Sequence, residues 1–138
     1  MKRARQAVLI MLIAVIPAGV AAFVHPRRPE WSREALAPGE ERLKTVLEWG
    51  SAVLWVDARS QRDYETEHIP GALSLNLEEW DTLFPRFLDQ WSPERKVVVY
   101  CSSLSCALSH EVADRLTQSG VSPVYVLKGG WEGWKANK

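Results

Sequence analysis

Cysteine is scarce in this chain of 138 residues: there are two, alongside three histidines. That excludes a disulfide-rich scaffold, and the scattered histidines complete neither a four-cysteine zinc site nor the paired spacing of a zinc finger. The sequence therefore calls for no metal and no cofactor. Net charge is lacking as well, since 17 basic side chains balance 17 acidic ones. Without a basic face or stripe there is no electrostatic case for nucleic acid. Internal repeats and low-complexity tracts are missing too. What is present is a globular balance of 46% apolar and 25% charged residues, in a length that suits one domain with a core.

The neutral total hides an uneven distribution. Lys2, Arg3 and Arg5 precede an uncharged run from Gln6 to Val24, and without these three the chain carries 14 basic against 17 acidic side chains. A basic leader thus precedes a mildly acidic soluble domain. As a helix, Ala7 to Val24 would span roughly 27 Å at about 1.5 Å per residue, close to the thickness of a bilayer core. One reading is a secretory signal cleaved after Ala22, favoured by the small residues Val20-Ala21-Ala22 and by Pro17 and Gly19, which weaken a continuous helix. The other is an uncleaved transmembrane anchor, favoured by Arg27 and Arg28 just beyond. Both export the domain, either to the periplasm or medium or to a membrane held through residues 7–24; a buried helix is the third alternative. The chain divides into 1–24 as signal peptide or anchor, 25–39 as a linker bearing Pro26, Pro29 and Pro38, and 40–138 as the domain.

Within that domain, helical and strand periods alternate. Leu43, Val46 and Leu47 have amphipathic helical spacing and predict a helix over Glu40 to Trp49, stopped by Gly50. Ala52 to Val56 is a continuous apolar run, the pattern of a strand buried on both faces. Gln61 to Thr66 reads as a short helix, Ala72 to Leu75 as a short strand, and Glu78 to Gln90 as a helix that Pro85 should kink or divide. Lys96 to Tyr100 is the clearest strand, Ser105 to Ser119 a helix closed by Gly120, and Val124 to Leu127 another buried strand. Gly129-Gly130 then turns the chain into a last helix with Trp131 and Trp134, which are expected to cover the sheet edge. Such alternation predicts an α/β fold: an open, mostly parallel sheet flanked by helices, preceded by one N-terminal hydrophobic helix.

In an open parallel sheet, ligands bind at the carboxyl ends of strands. Cys101 occupies such an end, followed by Ser102-Ser103-Leu104-Ser105-Cys106 and a helix. Backbone N–H groups of this loop and of the helix start would cradle an anion and favour the thiolate, which is the nucleophilic form of cysteine. The same donors suit an oxyanion or a persulfide. The competing reading is a small buried core residue at a strand end. Asp57 and Arg59, also at a strand end, read first as structural, by capping a turn or pairing with a neighbouring loop. His68 is expected to fix a loop before Pro70, while Tyr100 and His110 read as packing residues.

These residues carry a resemblance. Asp57-Ala58-Arg59, Tyr64-Glu65-Thr66-Glu67-His68-Ile69-Pro70-Gly71-Ala72, Val97-Val98-Val99-Tyr100-Cys101 and Val124-Tyr125-Val126-Leu127-Lys128-Gly129-Gly130 with Trp134 resemble, in order, the signatures of single-domain rhodanese-like proteins. The resemblance covers roughly Glu40 to Lys135. It implies a sulfurtransferase in which Cys101 takes a sulfane sulfur from a small donor such as thiosulfate and passes it to a thiol or cyanide. It also associates a six-residue loop, here Cys101 to Cys106, with sulfur transfer. Phosphatase and arsenate-reductase relatives use a loop one residue longer ending on an oxyanion-clamping Arg, whereas here that position is Ala107. Two loop positions depart from the pattern: Leu104 stands where many relatives have Gly, and Cys106 where many have Arg, Ser or Thr. Cys106 opens a disulfide with Cys101 if their Cα atoms lie within about 7 Å. Three functions therefore stay open: a sulfurtransferase, a thiol-disulfide redox or sensing module with a redox protein partner, and a non-catalytic binding module.

Overall fold

A computed structural model describes residues 35–102 and 107–138. The segment at 1–24, with its expected hydrophobic helix, and most of the linker lie outside the described residues. In chain order the elements are β1 (Glu40–Glu41), α1 (Leu43–Glu48), a 3-10 turn (Gly50–Ala52), β2 (Val53–Asp57), α2 (Gln61–Thr66) and β3 (Leu73–Ser74). There follow α3 (Trp80–Leu88), β4 (Lys96–Tyr100), α4 (Ala107–Gln118), β5 (Val124–Leu127) and α5 (Gly130–Ala136). One five-stranded sheet runs in the order β1-β5-β4-β2-β3, and every pairing is parallel.

The central strand explains the layering. Val97, Val98 and Val99 are fully buried, and their β-branched side chains suit a pleated strand covered on both faces. Val97 and Val99 join Leu54 and Val56 of β2 beneath Trp80, Leu83 and Phe87 of α3 and Val112 and Leu116 of α4. Val98 and Tyr100 face the other way, with Val46 of α1, Ile69 and Trp131. Each such apolar side chain removed from water stabilises the sheet by about 1.5–3 kcal/mol. Among the described residues no helix is long and apolar enough to cross a membrane.

Two local expectations change. Glu40 and Glu41 do not open α1; they form a strand paired with Val126 and Leu127. The sequence showed helical spacing only from Leu43 onward, and the edge of β5 supplied an acceptor ladder that periodicity does not register. Glu40 is also held by a cluster: its carboxylate accepts from the Ala37 amide at 2.8 Å and lies 3.1 Å from Lys128 Nζ and 3.3 Å from His110 Nε2. Pro85, for its part, stays inside one continuous α3. Pro85 stands on the exposed side of the helix, and Asp81, whose carbonyl it cannot bond, is exposed too, so the lost bond falls on the solvent face.

Candidate active site

β2 and β4 are in register, so Asp57 lies directly across from Tyr100 at the carboxyl end of the sheet. Both point to the α1/α5 side, and the pairing becomes a bond: Tyr100 Oη donates to Asp57 Oδ2 at 2.7 Å and accepts from the Ile69 amide at 3.1 Å. Asp57 is completely buried, and its carboxylate also takes the Arg59 backbone N–H at 2.9 Å and Nε at 3.0 Å, with Nη2 at 2.7 Å. The same Nη2 reaches on to the carbonyl oxygen of Glu67 at 2.6 Å. The guanidinium lies 4.8 Å from the centre of the Trp131 ring, a cation–π distance. Burial works against the charge on Arg59, but the Asp57 carboxylate beside it holds its pKa above the ordinary guanidinium value. Burial pushes the Tyr100 phenol well above its usual range; the Ile69 amide opposes this and Asp57 adds to it. Tyr100 therefore keeps its proton and remains a donor throughout the physiological range.

Asp57 and Arg59 pair with each other, and Arg59 reaches on to the loop before Ile69 through the Glu67 carbonyl. Tyr100 does more than pack, since it links that loop to the sheet. His68 makes local contacts to α2, with Nδ1 2.8 Å from the Tyr64 carbonyl and its ring stacked on Tyr64 at 4.0 Å. It lines neither the cavity bounded by Cys101 nor the one beside Ser102.

Cys101 follows β4 directly and is 3% exposed. It is disulfide-bonded, and the chain's only other cysteine is Cys106. The loop residues Ser103, Leu104, Ser105 and Cys106 lie outside the described residues, and with them most of the expected amide cradle. The near side of the site is well defined. A cavity of about 200 Å³ is bounded by Cys101 and Ser102 together with Arg59, Asn76, Glu78 and Leu108. A second, of about 290 Å³, lies toward α5 between Arg59, Ser102, Trp131 and Lys135.

The amino end of α5 braces Cys101 from below. The Trp131 amide donates to the Cys101 carbonyl at 2.7 Å and the Glu132 amide to that of Ser102 at 3.0 Å. Gly130 makes this approach feasible: its φ is +54°, and a Cβ there would stand 2.4 Å from the Cys101 carbonyl oxygen. Only glycine fits. Trp134 packs edge-on to Trp55 at 5.5 Å, and Trp131 is buried beneath the guanidinium, so both tryptophans cover the sheet face as well as its end.

Sequence reasoning overlooked Asn76. It lies just past β3, 3% exposed, and its Oδ1 accepts from the Glu79 amide ahead of α3 at 2.8 Å. The signal was available: a short polar side chain at the carboxyl end of a strand in a parallel sheet, where ligands bind. Among the described residues no group of three or more His, Cys, Asp or Glu could hold a metal ion.

Comparison with known proteins agrees with this architecture. The model of the rhodanese-like domain matches residues 40–137. The thiosulfate sulfurtransferase GlpE of Coxiella burnetii is 36% identical over 86 residues, which cover 62% of this chain and 74% of that protein. The thiosulfate sulfurtransferase GlpE of Tolumonas auensis is 36% identical over 84 residues, covering 61% of this chain and 74% of its own length. Among solved structures, the rhodanese-like domain of the Anabaena sp. Alr3790 protein superposes with a TM-score of 0.58 at 28% identity, covering 72% of this chain and 74% of that one.

Proposed function

The chain belongs to the rhodanese-like family, and from that premise we propose that it is a sulfurtransferase whose Cys101 accepts a sulfane sulfur and passes it to a thiol or other nucleophile. The observation that carries the reading is the place of Cys101: at the carboxyl end of the central strand, beside a cavity of small-molecule size. The relatives named above, both thiosulfate sulfurtransferases, support the substrate class. In the reaction, the Cys101 thiolate attacks the outer sulfur of thiosulfate. A new S–S bond forms, the old one breaks, and its electron pair leaves with sulfite. The persulfide then gives its terminal sulfur to an acceptor thiolate and the Cys101 thiolate returns.

Attack requires the thiolate, so the disulfide on Cys101 must first be opened by a dithiol, which is itself oxidised. Cys106 is the partner in this reading. The test is to reduce the full-length chain, add thiosulfate and digest it for mass spectrometry. One sulfur atom should be added at Cys101. A folded, reduced protein that takes up no sulfur from thiosulfate or from an organic persulfide overturns the proposal.

A second reading draws on the disulfide itself: a thiol-disulfide module exchanging with a redox protein partner through Cys101 and Cys106. It predicts fast exchange with a dithiol protein and no sulfur adduct. Residues 1–24 we read as an export segment, on the strength of Lys2, Arg3 and Arg5 ahead of a long apolar run. Amino-terminal sequencing of the protein recovered from fractionated cells tests this, since a start after Ala22 marks cleavage and an intact terminus in the membrane fraction marks an anchor.

A further inference from the structure

Asn76 carries a group that folding alone does not account for. Its carboxamide is fixed in orientation, because the atom that meets the Glu79 N–H must be the oxygen. The amide nitrogen, Nδ2, is buried and has no hydrogen-bond partner. Buried polar groups are nearly always paired; among the described residues Trp91 Nε1 and Trp134 Nε1 share the condition, but neither tryptophan is at the Cys101 cavity, where a ligand can supply the missing acceptor. Asn76 lines the same cavity as Cys101. Of the charges around it, Arg59 commits Nε and Nη2 to Asp57 and the Glu67 carbonyl, while the carboxylates of Asp63 and Glu78 stand exposed at the rim, where water screens them.

We propose that Asn76 Nδ2 donates a hydrogen bond to a sulfonate-type oxygen of the sulfur donor, and so holds the leaving group during transfer to Cys101. The inference rests on the sulfurtransferase reading above and adds to it the residue that holds the donor's leaving group. An amide N–H requires a good acceptor; a thiol or alkyl persulfide offers only weak sulfur acceptors, whereas the oxygens of thiosulfate are charged and strong. When the thiosulfate S–S bond breaks, the electron pair moves onto the departing sulfite and its oxygens gain negative charge. A fixed donor facing those oxygens strengthens as that charge develops, which is the condition for speeding the step.

Asn76→Asp keeps an acceptor for the Glu79 N–H but puts a negative charge where the donor stood, whereas Asn76→Ala removes donor and acceptor without adding charge, so a loss shared by both variants is the diagnostic result. Each full-length variant is reduced and loaded in parallel with thiosulfate and with an organic persulfide that bears no sulfur-bound oxygen. The ratio of the two kcat/KM values is compared with that of the parent, so that any unfolded fraction cancels. The ratio is expected to fall on the order of 10²-fold in both variants. An unaltered ratio makes Asn76 a purely structural residue and overturns the inference. A parent protein that loads from the persulfide but not from thiosulfate overturns the inference and leaves sulfur transfer standing, while one that loads from neither removes the underlying reading as well.

Discussion

Replacing Gly130 with alanine should damage the protein far more than the same change at Gly129, although both residues have positive φ, +54° and +88°. At Gly129 the added Cβ meets nothing nearer than the Gly133 Cα at 3.5 Å, an ordinary contact, so the cost is backbone strain of about 1–2 kcal/mol. At Gly130 similar strain applies, but the Cβ also falls 2.4 Å from the Cys101 carbonyl oxygen and 3.1 Å from its carbon. Both are backbone atoms and cannot rotate aside. The amino end of α5 must retreat, and the amides of Trp131 and Glu132 lose their bonds to the Cys101 and Ser102 carbonyls. At about 1 kcal/mol for each lost bond, more where a group stays buried, the total loss is about 3–4 kcal/mol. For a domain near 100 residues, at about 5 °C per kcal/mol, that lowers Tm by about 14–19 °C, against about 5–10 °C for Gly129→Ala. Thermal unfolding followed by circular dichroism measures both. Because the carbonyl beneath the nucleophile moves, Gly130→Ala should also slow sulfur uptake at Cys101 below its unfolding range. Equal Tm losses for the two variants, or a Gly130→Ala protein with normal uptake, would refute the argument that α5 braces the site.

Asp57→Ala leaves the Arg59 guanidinium buried without its carboxylate and should cost about 3–5 kcal/mol in urea unfolding, whereas Tyr100→Phe, which strands the Ile69 amide, should cost about 1–3 kcal/mol. Cys106→Ser should retain the thiosulfate-derived sulfur at Cys101 and leave that thiol open to alkylation after mild oxidation; Cys101→Ser should lose the adduct altogether, as intact-mass spectra will show. The Glu40 carboxyl titrates below its ordinary value of 4.5: burial alone would raise it, but the Ala37 amide and the Lys128 and His110 side chains more than offset this. A depressed carboxyl stabilises the fold above the unfolded-state pKa and loses that contribution as pH falls through the folded one. The Tm gap between the parent and Glu40→Gln should therefore be full at neutral pH and narrow below about pH 4.5; a gap constant down to pH 3 would count against this, on the same linkage.

The sheet was legible because its signals are local. Lys96 to Tyr100 and Val124 to Leu127 were bounded correctly from composition alone, since fully buried parallel strands read as continuous apolar runs. Glu40 and Glu41 were not, because a two-residue strand at an edge is specified by its neighbour, β5, and by the carboxylate's long-range partners Lys128 and His110. Cys101 was singled out by its position after a strand, and Asp57 and Arg59 by the resemblance and by their place at a strand end. What spacing could not convey was that Asp57 and Tyr100 are cross-strand partners, which needs the register of β2 on β4.

That register also joins the separated motifs into one mechanism of support. Tyr100 immediately precedes the nucleophile, and its hydroxyl binds both Asp57 and the amide of Ile69, in the segment that also contains His68. Arg59 extends the same network to Glu67 and lies against Trp131, the residue whose amide holds the Cys101 carbonyl. Each signature stretch thus fixes the backbone at Cys101 from a different direction: the strand from behind, Gly130 and Trp131 from below, and the Asp57–Arg59 pair from the side. Asn76 stands apart from this network, with its oxygen committed to α3 and its nitrogen unpaired beside the cavity. Among the described residues three side-chain nitrogens are buried without a partner, Asn76 Nδ2, Trp91 Nε1 and Trp134 Nε1, and of these residues Asn76 is the one that shares a cavity with Cys101, where its spare hydrogen-bonding capacity can serve a ligand.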